Sequence, residues 1–189
     1  ELITRTIIRE REEREIPYVF QTYDFIFDKQ IDGKKSNFLK MRSLLAEAFK
    51  YGPPRNEKSP SDQRGLIVDI KPYPERDMVE MASACAYHGR GNGQHKCVQD
   101  YFMANDPYTV ATEVPVWDTE YTGSIDILRY SPDSDTIQIL DFKPNAKKEK
   151  HVSGQLFKYG ELFYIRTLIP YSHIQLIYFD DVDAYQVIF

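Results

Sequence analysis

The chain has 189 residues, 42% of them hydrophobic, with 24 lysines and arginines against 29 aspartates and glutamates and a formal net charge of −5. That apolar content suffices for the core of one domain, and no apolar run approaches the roughly 20 residues that cross a bilayer, which excludes a membrane-spanning helical protein. The only cysteines, Cys85 and Cys97, exclude a four-cysteine zinc or iron–sulfur site made by this chain alone and suit a reducing compartment. The opening residues have neither a basic n-region nor an apolar h-region, so the expectation is an intracellular, cytoplasmic protein, a viral or phage protein acting in a host cell included.

In chain order, Leu2 to Arg9 predicts a strand from its threonine and isoleucine content, and Tyr18 to Phe27 a second, aromatic one. Ser36 to Tyr51 predicts a helix. Ser36 is placed to cap it, Phe38, Leu39, Met41, Leu44, Leu45, Ala48 and Phe49 recur at helical spacing, and Gly52-Pro53-Pro54 ends it. Residues 52 to 65 read as a mobile, proline- and charge-rich loop. Asp69-Ile70-Lys71-Pro72 follows an apolar run, but it has no partner acid on a preceding strand, so it is assigned to structure. Arg76 to Tyr87 and Gln94 to Met103 predict helices. Val110 to Val116 predicts a strand in which Pro115 favours an edge or a strand end. Glu113 on that strand is open between an outer ligand, a ligand to a second metal, and solvated surface.

The chemistry concentrates from Gly123 to Tyr159. Ile125 and Ile127, then Ile137 and Ile139, alternate at the strand period, and Ser131-Pro132-Asp133-Ser134-Asp135 is a turn cluster that folds the two runs into a hairpin. Asp126 and Asp141 thereby approach each other. Two carboxylates in a partly buried site repel, and both stay ionised only with a cation between them; hard oxygen ligands select magnesium or manganese. Asp141 and Lys143 leave their strand on one face while Phe142 points into the opposite layer. An ammonium beside a metal site can orient or deprotonate a water and offset charge building on a phosphate. The alternative is that the two acids cap strand ends and Lys143 pairs with one of them at the surface. Gln155 and Tyr159, one helical turn apart, share a helix face; an amphipathic helix with Tyr159 half in the core explains them as well.

Gly123-Ser124-Ile125-Asp126, Ile139-Leu140-Asp141-Phe142-Lys143 and Gln155-Leu156-Phe157-Lys158-Tyr159, in that order, resemble the PD-(D/E)xK nuclease superfamily. The Gln-x-x-x-Tyr element is similar to its RecB-like branch, which includes CRISPR-associated exonucleases and carries an upstream histidine on a helix opened by glycines. Gly89-Arg90-Gly91-Asn92-Gly93-Gln94-His95 fits that element, with His88 as the competing histidine. The resemblance implies that His95, Asp126, Asp141 and the Phe142 backbone carbonyl hold one or two Mg2+ or Mn2+ ions. It further implies that Lys143 assists the attacking water and that Gln155 and Tyr159 contact the scissile strand. No iron–sulfur cluster is expected, although some relatives carry one.

The implied fold is α/β, a mixed central β-sheet flanked by helices with a restriction-endonuclease-like core. One nuclease domain is expected over 1–189, with 1–75 as an N-terminal elaboration and 76–189 as the core. The implied function is a divalent-metal-dependent DNA nuclease, an exonuclease, acting on single strands or duplex ends. An RNA endonuclease of the cap-snatching type and an inactive nucleic-acid-binding module on the same fold are the alternatives, and a homo-oligomer or a protein partner is compatible with either. The acidic total does not oppose a nucleic-acid partner, because Lys143, Lys147, Lys148, Lys150, His151 and Lys158 cluster beside the proposed site while Asp180, Asp181 and Asp183 lie elsewhere. Lys147, Lys148 and Lys150 are the expected substrate-binding cations; a solvated lysine-rich loop is the alternative.

Overall fold

Alternating apolar runs separated by turn clusters produce eight strands among the residues that the computed structural model describes, 2–9, 12–21, 37–51, 53–54, 56–88 and 94–189. The strands are β1 (Leu2–Arg9), β2 (Glu12–Gln21), β3 (Ile70–Pro72), β4 (Thr109–Trp117), β5 (Thr122–Ser131), β6 (Thr136–Phe142), β7 (Ile174–Phe179) and β8 (Ala184–Val187). Four α-helices accompany them among the described residues: α1 (Asn37–Tyr51), α2 (Asp77–His88), α3 (Gln94–Asn105) and α4 (Val152–Thr167). The fold is α/β, with a mixed sheet flanked by helices, as the sequence predicts. Strand order is β1-β2-β4-β5-β6-β7-β8-β3, and every neighbouring pair is antiparallel except β6 and β7, which α4 joins as a parallel crossover.

The sheet separates two apolar cores. On one face α1 and α4 bring Met41, Leu44, Leu156, Leu162 and Phe163 onto Val114, Val116, Ile139 and Leu176. On the other, α2 and α3 bring Met78, Val79, Val98 and Phe102 onto Ile127, Leu140, Phe142, Ile177 and Phe179. Helix α1 begins where the β5–β6 turn caps it: the Asn37 N–H donates to the Asp135 carboxylate at 3.0 and 3.2 Å, and its side-chain amide donates to the Asp135 carbonyl at 2.8 Å. Ser36, the expected cap, lies outside the described residues, as do Gly52 and residues 22–27 of the expected second strand. That strand starts earlier than its aromatic run suggests, at Glu12, and pairs with β1 from Leu2↔Gln21 to Arg9↔Glu12. Residues 70–72 of the duplicated Asp-x-Lys-Pro pattern form β3, an exposed edge strand paired with β8.

Of the loop expected over 52–65, residues 56–65 are built onto the molecule. Pro60–Gly65 is a 3-10 turn closed by the Ser59 N–H donating to Asp62 Oδ2 at 2.8 Å, and the Asn56 side-chain amide donates to the carbonyls of Asp118 and Tyr121 at 3.0 Å each. Its seat is two glycines. A Cβ on Gly154 of α4 would collide with the carbonyl oxygens of Gln63 and Leu66, and one on Gly123 of β5 would collide with Pro60 and Tyr159. Local composition reads this segment as loop because the glycines that receive it lie far along the chain.

Candidate active site

Hairpin register brings the two acids together. The β5–β6 ladder runs from Ser131↔Thr136 to Ile127↔Leu140, so Asp126 and Asp141 stand opposite each other one step further on. His95, in the first turn of α3, reaches the same point from the other side of the sheet, with Nδ1 3.4 Å from Asp126 Oδ2. One potential ligand atom from each of His95, Asp126 and Asp141 lies within 4.8 Å of the others. The His95 ring rests edge-on against Phe142 at 5.6 Å between centroids, and Phe142 in turn packs on Phe179 in the α2/α3 core. Lys143 Nζ approaches Asp141 Oδ1 at 3.0 Å. The glycines 89–93 expected to open this helix lie outside the described residues.

Strand β5 turns over at Asp126. Ile125 and Leu128 face the α1/α4 core while Ile127 faces the α2/α3 core, so the strict alternation predicted for Ile125 and Ile127 on one face fails there. The cause lies across the ladder. Glu113, between the pairs Thr112↔Ile127 and Val114↔Ile125, adopts a left-handed φ of 52°, a conformation that costs a non-glycine residue on the order of 1–3 kcal/mol. Its carboxylate is held from two sides, by Gln99 Nε2 at 2.6 Å and by Ser124 Oγ at 2.7 Å. Glu113 is therefore a fixed, partly buried group next to the three-residue cluster rather than a member of it. Gln99 and Ser124 carry no pattern that singles them out in the sequence. Pro115 sits past the end of the β2–β4 ladder, which pairs only Ala111 and Thr112, so no neighbour requires the N–H it lacks.

Comparison of the chain with protein-family models, curated sequences and solved structures gives no match. The chemistry therefore rests on the geometry.

Asp141 is buried, and its carboxyl is held well above the ordinary carboxylate range, first by desolvation and then by the charge of Asp126; Lys143 opposes both. Oδ1 receives no hydrogen bond of acceptable geometry despite the nearby ammonium, and a buried acceptor without a donor is costly. A divalent cation fits this donor set, since it would fill the open valence and remove the repulsion. For the metal-free protein the sign follows directly. A folded pKa above the unfolded one contributes stability that is complete below the ordinary carboxylate range and is lost as pH rises through the raised value. Asp141→Asn, neutral at every pH, is expected to melt higher than wild type in EDTA at neutral pH and to lose that advantage on acidification. Thermal unfolding at both pH values checks this, and a lower neutral-pH melting temperature for the variant would count against a strained carboxylate pair.

Gln155 and Tyr159 project from α4 toward the acids, and both are buried. Their mutual contact is long, Gln155 Nε2 to Tyr159 oxygen at 3.5 Å, and Gln155 Oε1 has no partner. Burial raises the Tyr159 hydroxyl pKa, with the charges of Asp141, Asp126 and Glu113 adding to the effect, so the hydroxyl stays a neutral donor. Lys147 and Lys148 are exposed on a 3-10 turn, Ala146–Lys148, and Lys150 is exposed just after it. Two expectations about charge change. Lys158 does not join that open stripe, because its side chain is only 16% exposed, pairs with Asp118 at 3.5 Å and Glu161 at 3.4 Å, and lies over the Tyr121 ring. Asp180 is buried and accepts from the Ala146 N–H at 2.7 Å, so it anchors the lysine turn instead of shaping a distant surface field.

Proposed function

We propose that this chain is a divalent-metal-dependent nuclease of the PD-(D/E)xK kind, hydrolysing phosphodiester bonds in DNA from strand ends. The observation that carries the reading is the convergence of His95, Asp126 and Asp141 within 4.8 Å, with Lys143 3.0 Å from Asp141. His95 Nδ1 or Nε2 and the two carboxylates would hold the cation, together with the Phe142 carbonyl that follows Asp141 in the strand. When bound, a magnesium or manganese ion supplies Lewis acidity toward water and the scissile phosphate. Lys143 holds a proton on Nζ at the edge of this cluster, where it can orient the attacking water and offset the negative charge that grows on the phosphate. Tyr159 and Gln155 offer a neutral hydroxyl and an amide to position the scissile strand. Lys147, Lys148 and Lys150 offer solvent-facing charge to its backbone.

No helix among the described residues is long and apolar enough to cross a membrane, and the proposed setting of the reaction is the cell interior, where Cys85 and Cys97 stay reduced. The test is cleavage of end-labelled single-stranded, double-stranded and circular DNA, with matched RNA, in magnesium, manganese and EDTA. Wild type should cut linear DNA only with metal, spare circles, and lose activity as Asp141→Ala. Cutting that persists in EDTA or in the variant would sink the proposal.

A further inference from the structure

The fold brings the two cysteines of the chain together. Cys85 on α2 is 2% exposed and Cys97, at the end of the first turn of α3, is partly exposed. Both line one cavity of about 170 Å³, whose wall also includes Ala82, Gln94, Val98 and Phe142. The thiols are in contact: burial pushes the Cys85 thiol up, and a hydrogen bond with Cys97 adds to the effect. Among the described residues no histidine or carboxylate joins the two sulfurs as a third metal ligand. What remains is a pair in which one sulfur meets the solvent and the other waits behind it, the arrangement in which an oxidised cysteine is captured by a resolving one.

The pair also adjoins the acidic cluster. His95 precedes Cys97 by two residues on the same turn of α3, and its ring packs edge-on against Phe142, a wall residue of the cavity, at 5.6 Å between centroids. Any movement of that turn toward α2 therefore moves the imidazole that stands 3.4 Å from Asp126.

We propose that Cys85 and Cys97 form a modification site, closed to a disulfide by a peroxide, and that closure weakens cation binding at His95. Cys97 Sγ takes one oxygen from hydrogen peroxide as the O–O bond breaks, giving a sulfenic acid and a water. Cys85 Sγ then attacks that sulfur, the S–O bond breaks, and a second water leaves with the Cys85 proton. Two thiols are oxidised, one peroxide is reduced, and one disulfide and two waters result. In a reducing compartment the bond is transient, since the thiol pool reopens it. Turning the contact into a bond draws the start of α3 toward α2, whereas a metal ligand tolerates displacements of only about 0.2 Å. The consequence for the cation rests on the metal cluster proposed above; the sulfur chemistry stands apart from it.

The experiment uses the full chain, reduced, freed of reductant, treated with hydrogen peroxide and desalted. Mass spectrometry with peptide mapping reads the sulfur chemistry, and paramagnetic resonance reads Mn2+ binding. Wild type should lose about 2 Da, the two thiol hydrogens, in a peptide pair joining Cys85 to Cys97. Its Mn2+ affinity should fall roughly tenfold, as when the support of a metal ligand is disturbed, and dithiothreitol should reverse both changes. Cys97→Ser and Cys85→Ala, treated alike, should show neither change and should bind Mn2+ as reduced wild type does; the partly exposed Cys97→Ser serves if loss of the buried sulfur unfolds the chain. Failure of wild type to form the linked peptide overturns the modification site. A linked peptide with unchanged Mn2+ affinity overturns the effect on His95. A linked peptide in a chain whose reduced form binds no Mn2+ keeps the modification site and removes the metal reading instead.

Discussion

Lys143→Ala is expected to fold normally, keep its affinity for divalent metal, and lose cleavage by roughly 10²–10³-fold, the range found when a positioned donor to developing charge is removed. The fold should survive because Lys143 lies just beyond β6, is partly exposed, and contributes one ion pair to Asp141. Metal affinity should survive because the proposed ligands are the imidazole and carboxylates of His95, Asp126 and Asp141. What disappears is the ammonium 3.0 Å from the buried Asp141 carboxylate. Lys143→Arg retains charge but spreads it over a planar group with different reach, and should recover only part of the rate. Circular dichroism, metal titration and single-turnover cleavage separate these effects. A variant that cuts at the wild-type rate would remove Lys143 from the chemistry altogether.

Asp106→Ala should be the most destabilising single change away from the site, by about 3–5 kcal/mol, because it strands a buried charge. Arg129 on β5 is 3% exposed. It meets Asp106 through Nε at 2.6 Å and Nη2 at 3.2 Å, Asp77 through Nη2 at 2.7 Å, and Gln138 through Nη1 at 2.9 Å. Gln138 extends the chain of hydrogen bonds to Tyr73 and Gln175. This one guanidinium ties the starts of α2 and β4 to the centre of the sheet. Removing Asp106 leaves the guanidinium desolvated, with the half-exposed Asp77 as its ion-pair partner among the described residues. Chemical denaturation would measure the loss, and a change below about 1 kcal/mol would mean that water or a neighbour replaces Asp106 without difficulty. Arg129→Lys, which keeps the charge and loses the fork, should fall between wild type and Asp106→Ala.

Much of the site is legible in the amino-acid sequence, for reasons that are local. The turn residues at 131–135 set the hairpin, and the hairpin register alone places Asp126 opposite Asp141. Period-two alternation puts Asp141 and Lys143 on one side of β6 with Phe142 on the other, where it enters the second core. A four-residue spacing puts Gln155 and Tyr159 on one helix face. Helices α1, α2 and α3 begin and end within a few residues of their expected bounds because apolar spacing and stop residues act over one or two turns.

The places where local reading fails are contacts between residues far apart in the chain. Glu113 takes a left-handed conformation inside a valine- and threonine-rich strand, and the bend it makes turns Asp126 and Ile127 away from simple alternation. The turn at 60–65, with its single proline, is seated on Gly123 and Gly154, more than 50 residues later. Lys158 looks like one more cation in a basic run until Asp118 and Glu161 surround it, and Asp180 looks like surface acid until the fold sets it against the Ala146 turn. By itself the amino-acid sequence determined the element types, the β5–β6 register and the identity of the acid pair, since these follow from periodicity and turn chemistry within about ten residues. Only the tertiary structure decided that His95 reaches the acids across the sheet, that the 60–65 turn seats on Gly123 and Gly154, and which lysines keep an exposed charge. Each of those depends on which distant carboxylate, glycine or helix end is brought near, and short-range patterns contain no record of that.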